Sequence, residues 1–208
     1  MLSAEQIFGF LLAATVITLA PGPDNMMVLS LGMAKGRRPG IAFGLGCALG
    51  CLSHTLLAVI GVSALIAASP GAFTALKVGG GLYLVWLGVH ALRPAHGAMA
   101  GKASDTPPAP RNLFVKGMMA NAVNPKVILF FLSFLPQFVI PGKGSVATQM
   151  AWLGLLFTGQ AAVIFSLLGY FAGTVGQWMH TRPRLGHAID RLSGLIFVGL
   201  GLRLIVGH

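Results

Sequence analysis

Residues 39–76 read PGIAFGLGCALGCLSHTLLAVIGVSALIAASPGAFTAL, and this stretch decides the class of the fold. Its 38 residues contain no Asp, Glu, Lys or Arg. A helix needs about 20 consecutive apolar residues to cross a bilayer, so the stretch suffices for two spans or nearly so. Ser69, Pro70 and Gly71 divide it, because proline and glycine interrupt a regular helix.

The rest of the chain follows the same pattern. Further charge-free runs cover 6–23, 127–142 and 144–181. Of the 208 residues 55% are hydrophobic and 9% are charged, against about 25% charged in a soluble domain. The sequence therefore predicts an all-α integral membrane protein in one domain, residues 1–208. The six predicted transmembrane helices lie at about 5–29, 40–67, 71–92, 113–138, 146–176 and 188–206.

The net charge of +10 is carried largely by loops. With six spans, loops one, three and five lie on one side, and only Lys143 lies with certainty on the other. The positive-inside rule then places both termini outside the cytoplasm, in a bacterial inner membrane. No folded basic face is expected, which excludes nucleic acid as a partner. The basic loop residues are Lys35, Arg37, Arg38, Arg93, Lys102, Arg111, Lys116, Arg182, Arg184 and Arg191.

Two halves of three helices are predicted, joined by a cytoplasmic linker at about 94–111 that is rich in Pro, Ala and Gly. Repeat one covers about 1–93 and repeat two about 112–208. The motif Gly-Leu-x-x-Val-x-Leu-Gly occurs at 81–88 and again at 194–201. Because each half has an odd number of spans, the halves enter the membrane from opposite sides, as in the inverted repeats of secondary transporters.

An interruption late in the first helix carries the first candidate site. The sequence PGPDN comprises Pro21, Gly22, Pro23, Asp24 and Asn25. Two prolines and a glycine cannot continue a regular helix, and unpaired backbone must be buried in protein or line a wet cavity. A carboxylate at membrane depth indicates function. The alternative is a helix cap at the interface.

The fourth helix is interrupted in a similar way. Asn121 and Asn124 precede Pro125 and Lys126, again joining a proline to polar and charged side chains. Paired interrupted helices, one in each half, are the strongest sequence indication of a transport site. The alternative is that Lys126 extends to the interface or forms a fixed ion pair with Asp24.

These two motifs carry a resemblance to a known family. PGPDN followed by a basic loop, and NPK followed by FFLSFLPQF at 130–138, closely resemble the LysE/RhtB family of amino-acid exporters, over nearly the whole chain. The resemblance implies export of an amino acid or a close derivative from the cytoplasm, by proton antiport. The residues alone indicate only a transporter.

An amino-acid zwitterion suits an acid and a base at membrane depth. Asp24 would bind the ammonium and Lys126 the carboxylate; alternatively, Asp24 carries the proton. With Asp24 as the only acid at depth, neutral substrates such as threonine or homoserine are favoured over lysine. His54 and Gln160 are weaker candidates for proton transfer and substrate contact. Glycine faces would also permit a homodimer in the lipid bilayer.

Two other functions use the cysteines. Cys47, Cys51 and His54 share one predicted helix face, which would suit a metal-cation efflux carrier. The two cysteines would alternatively serve a membrane thiol oxidoreductase. No Walker loop or other motif of a soluble enzyme is present, so neither enzymatic activity nor a cofactor is expected.

Overall fold

The computed structural model describes residues 2–92, 109–181 and 183–206, and these ranges contain helices and no strand. Most of the predicted linker lies outside the described residues. The α-helices are α1 (Ala4–Leu19), α2 (Pro23–Lys35), α3 (Arg37–Leu57), α4 (Ser63–Ala68), α5 (Pro70–Leu92), α6 (Pro110–Ala122), α7 (Pro125–Leu129), α8 (Val146–Tyr170), α9 (Ala172–Thr181) and α10 (Pro183–Val206).

Both predicted interruptions are present as sharp bends. The axes of α1 and α2 differ by 59° across residues 20–22, and we call residues 17–25 around this bend the first break. The second break, residues 121–126, lies where α6 gives way to the segment Pro125–Phe138 at an angle of 51°. Pro23 and Pro125 each begin a new helix, where a missing N–H group leaves no hydrogen bond unmade.

The described helices are those of a multi-pass membrane protein. Arg37–Val62, Gly71–Leu92 and Val146–Tyr170 are each long and apolar enough to cross a bilayer. The two bent pairs raise the number of candidate spans in the described residues to at most five. The sixth predicted span, 188–206, lies within α10, which is not among these candidates, so six spans are not confirmed.

The structure differs from several predicted boundaries. The first predicted helix continues to Lys35 rather than ending at 29, so the predicted basic loop at 30–39 is largely helical, and the fourth begins at Pro110 rather than 113. The second helix begins at Arg37 rather than 40, directly after Gly36, whose φ of 92° ends the preceding helix. The predicted loop at 177–187 is largely helical, because α9 continues to Thr181 and α10 begins at Pro183. Two π-helical segments, Ala58–Val62 and Phe130–Phe134, were not predicted.

Helix α3 lies at the centre of the bundle, where it packs against α2, α6 and α8, while α5 packs against α10. Glycine allows the closest of these contacts. A Cβ atom on Gly46 would overlap the carbonyl oxygen of Phe114, and one on Gly117 would overlap that of Phe43. The backbones of α3 and α6 therefore touch directly, which fixes the second break against α3.

Many large apolar side chains point outward, as expected of a surface in contact with lipid. Phe8 and Leu12 on α1 are 73% and 61% exposed, and Leu56 and Ile60 are 60% and 62% exposed. Polar side chains are instead among the buried ones, including Asp24 and Lys126. This reversal of the usual pattern of a soluble protein agrees with a bilayer as solvent.

We expect Gly117→Ala to destabilise the protein by about 1–3 kcal/mol, because the added methyl meets backbone that cannot yield without separating α6 from α3. Gly159→Ala is the matched control, since a Cβ atom there meets nothing within 4 Å. Thermal unfolding of the detergent-purified variants measures the difference. Equal stabilities of the two variants would contradict the direct contact of α3 with α6.

Candidate functional site

The first break exposes the carbonyl end of α1, and Lys126 binds there. Its ammonium donates hydrogen bonds to the carbonyl oxygens of Ile17 at 3.1 Å and Ala20 at 3.0 Å. The carbonyl end of a helix carries partial negative charge, which favours a cation. Gly22 leaves room for this contact, because a Cβ atom on it would lie 2.8 Å from the Lys126 Nζ atom.

The second break supplies the partners of Asp24. The side-chain amides of Asn121 and Asn124 donate hydrogen bonds to Asp24 Oδ2 at 2.8 Å and 2.9 Å. Asn124 also caps α7, because its Oδ1 atom accepts from the backbone N–H of Lys126 at 3.1 Å. Lys126 of the second break is therefore bound by carbonyl oxygens of the first break, and Asp24 of the first break is bound by asparagines of the second.

Both charged groups are buried, and this bears on the alternatives left open by the sequence. Asp24 is 4% exposed and Lys126 is 7% exposed. An interfacial cap or an extended lysine would leave its charge in solvent, whereas both charges lie inside the protein. The hydrogen bonds on each charged group go to neutral partners, which is not the arrangement of a closed ion pair.

A small cavity lies between the two charges. Its volume is about 10 Å³, roughly the space of one water molecule. An amino acid requires far more space, so the bundle must open to admit one. The lining residues are Ile17, Thr18, Asp24, Asn25, Cys51, Asn121, Lys126, Val127, Phe130, Phe157 and Phe165.

His54 does not line this cavity but contacts Asn121, which does. Its Nε2 atom is 3.0 Å from the carbonyl oxygen of Asn121, and its ring packs at 5.7 Å from that of Phe131. A carbonyl oxygen only accepts, so Nε2 carries a proton. His54 therefore connects α3 to the residue that holds Asp24.

Asn25 and Gln160 meet at Thr18, a residue that sequence reasoning missed. Asn25 Nδ2 donates to the carbonyl oxygen of Thr18 at 2.8 Å, and Gln160 Nε2 donates to its hydroxyl at 2.8 Å. Thr18 is a polar residue one turn before the PGPDN motif, and that position was the available signal. All seven residues predicted to bind substrate or protons thus lie at the breaks or one contact away.

Comparison with known proteins identifies the family. The model of the family described as LysE type translocator matches residues 15–208. The chain belongs to the LysE type translocator family. Both breaks, with Asp24 and Lys126, lie within the matched residues. No solved structure matches the chain.

Several relatives of this LysE type translocator are named for transport. It is 30% identical over 203 residues to a leucine efflux protein of Enterobacter sp. (strain 638), covering 96% of this chain and 94% of the relative. It is 30% identical over 204 residues to a threonine efflux protein of Escherichia coli (strain K12), covering 93% and 94%. An uncharacterized membrane protein of Pseudomonas aeruginosa is 30% identical over 207 residues, covering 98% and 96%. These names point to a transporter rather than an enzyme.

The functions based on cysteine find no support in this LysE type translocator. Cys47 and Cys51 are buried and free, and the Cys51 thiol donates to Asn121 Oδ1 at 3.5 Å. Within residues 2–92, 109–181 and 183–206, no three His, Cys, Asp or Glu side chains are placed to hold a metal ion. Neither the family nor the names of the relatives suggest a metal cation or thiol chemistry.

Asn121→Ala should destabilise the protein by about 1.5–3 kcal/mol, because the buried Asp24 carboxylate loses one of its amide donors. Asn112→Ala on the same helix is the control, since Asn112 is exposed. The melting temperatures of the purified variants provide the measurement. A loss no larger than that of Asn112→Ala would mean that Asp24 does not depend on the second break.

Proposed function

We propose that this protein exports neutral amino acids from the cytoplasm by proton antiport, with threonine and homoserine favoured. The observation that carries the proposal is the buried pair of opposite charges, Asp24 and Lys126, held at two helix breaks on one cavity. Burial of charged groups within a bilayer is unfavourable and is kept where function requires it. The family and the efflux proteins among the relatives support the same transport class.

The zwitterion of an amino acid complements this pair. Its ammonium binds Asp24, and its carboxylate binds Lys126, replacing part of the hydrogen bonding that each charge now takes from neutral groups. Asp24 also binds the antiported proton, and His54 is placed to assist through Asn121. Substrate and proton then compete for one carboxylate, which couples their opposite movements.

Closure on one side of the cavity is provided by an aromatic cluster between α1 and the segment Pro125–Phe138. Phe10 packs 6.3 Å from Phe130 and 5.3 Å from Phe138. Beyond these rings, Gln6 Nε2 donates to Gln149 Oε1 at 2.9 Å and to the carbonyl oxygen of Phe138. This layer is the gate on the outer side: the two glutamines separate and the rings part when the substrate leaves.

The two halves form inverted repeats, an arrangement in which a gate on the inner side opens as the outer gate closes. The motifs at 81–88 and 194–201 pack against each other with reciprocal pairing. A Cβ atom on Gly81 would lie 2.8 Å from the carbonyl oxygen of Gly201, and one on Gly88 would lie 2.5 Å from that of Gly194. Such exchange of equivalent contacts is expected across a two-fold axis, here one relating repeat one to repeat two.

The remaining assignments follow from charge and composition. The protein spans the bacterial inner membrane with six helices and with both termini outside the cytoplasm, as the basic loops predict. Its partners are the amino acid, protons and lipid. A homodimer through glycine-rich faces is compatible with the exposed Gly159, beside which a Cβ atom would meet nothing within 4 Å.

The test is export from cells fed a mixture of dipeptides, which are hydrolysed inside and raise cytoplasmic amino acids. Overexpression of the wild-type protein should raise one or more neutral amino acids in the medium. Asp24→Asn should abolish this rise while the protein still inserts, because one amide oxygen can accept both asparagine bonds but cannot bind ammonium as a charge or carry the proton.

Glu5→Gln is the matched control, since it neutralises an exposed acid of α1. It should export normally. Normal export by a correctly inserted Asp24→Asn protein would disprove both roles of Asp24. Failure of the wild-type protein to raise any amino acid would disprove the proposed function itself.

A further inference from the structure

Three buried side-chain atoms in the described part of the chain lack a hydrogen-bond partner. They are Asn25 Oδ1, His54 Nδ1 and Gln160 Oε1. Two are amide oxygens and therefore acceptors. In a neutral His54 ring Nδ1 is a third acceptor, because Nε2 donates to a carbonyl oxygen. The site is thus short of hydrogen-bond donors rather than acceptors.

Two of these acceptors are attached to the same residue. Asn25 Nδ2 donates to the carbonyl oxygens of Thr18 at 2.8 Å and Leu19 at 3.3 Å. If the Asn25 amide were rotated by 180°, its oxygen would face two carbonyl oxygens, neither of which can donate a hydrogen bond. These contacts therefore fix the orientation of the amide. Gln160 Nε2 donates to the Thr18 hydroxyl at 2.8 Å. Each free oxygen thus belongs to an amide group whose nitrogen is hydrogen-bonded to Thr18.

Thr18 and Asn25 line the same cavity as Asp24 and Lys126, and Gln160 lies behind them, joined to this lining by its hydrogen bond to Thr18. Asn25 is 6% exposed, so its free oxygen has little access to solvent. A buried acceptor without a donor is unfavourable, and a ligand that supplies a donor relieves this. The ammonium of an amino acid already has Asp24 as its partner, so a second donor on the ligand is the group that these oxygens fit.

We infer that the free oxygens of Asn25 and Gln160, anchored on Thr18, form a side-chain subsite that selects hydroxyl-bearing amino acids over their aliphatic isosteres. This inference rests on the proposed function and deepens it. A hydroxyl group donates one hydrogen bond to an amide oxygen, whereas a methyl group in the same position leaves that oxygen unpaired.

The aromatic residues that line the cavity are compatible with a subsite for a hydroxyl-bearing side chain. Phe130, Phe157 and Phe165 also line it and would contact the carbon atoms of the side chain. These rings bind a methyl group of threonine and of valine equally well, so they do not distinguish the two. Discrimination between such isosteres depends on a hydrogen-bonding group in the site.

Threonine and valine are the probes, because they differ by one hydroxyl in place of a methyl. Purified protein in proteoliposomes is assayed for counterflow of labelled threonine, with either amino acid as competitor. The wild-type protein should be inhibited at a concentration about threefold to tenfold lower by threonine than by valine, the range expected of one neutral hydrogen bond.

Gln160→Met should remove most of this preference, since methionine fills a similar volume without the oxygen. Thr18→Val, which deletes the anchor of Gln160, offers a second route to the same loss. Thr158→Val is the matched control on α8. The Thr158 hydroxyl bonds to the carbonyl oxygen of Gly154 in its own helix at 2.9 Å, so its removal should leave the preference unchanged.

The outcomes separate the inference from the proposed function. If both amino acids compete but the wild-type protein does not prefer threonine, the subsite is refuted and the free oxygens hold only water, while export of amino acids stands. Retention of the full preference in Gln160→Met and Thr18→Val has the same meaning. If no amino acid of a neutral panel moves, the proposed function fails and the subsite fails with it.

Discussion

The structure depends on reciprocal contacts between its two helix breaks: each break contributes a charged side chain that hydrogen-bonds to the other. Lys126, from the second break, binds carbonyl oxygens that the first break leaves unpaired. Asp24, from the first break, accepts hydrogen bonds from two asparagines of the second break. In a bilayer neither the open helix end nor the isolated charge would be tolerated alone. Each break is stable because the other is present.

Under the proposed function, these reciprocal contacts would join stability to transport. A substrate with one positive and one negative group can bind only by displacing some of the bonds between the breaks. Binding therefore weakens the contact between the two breaks, because the substrate takes the place of hydrogen bonds that join them. The cavity, with room for about one water molecule, is the closed state of such a device.

Much of this arrangement could be predicted from the sequence. Charge-free runs indicated membrane helices, and proline beside charged residues located both breaks, because these effects depend on local chemistry. The placement of Lys126 on the carbonyl end of α1 was not predictable, since nothing in NPK indicates which helix its ammonium reaches. Thr18 was missed for the same reason: its importance arises from Asn25 and Gln160, the latter 142 residues away.

The central claim is that Asp24 and Lys126 bind the two charged ends of one substrate. It is tested most directly by transport of three related compounds into proteoliposomes: an exported amino acid, its amide, which lacks the carboxylate, and its deaminated analogue, which lacks the ammonium. The account predicts transport of the intact amino acid alone. Equal transport of either analogue would contradict it, because one of the two buried charges would then have no role in binding.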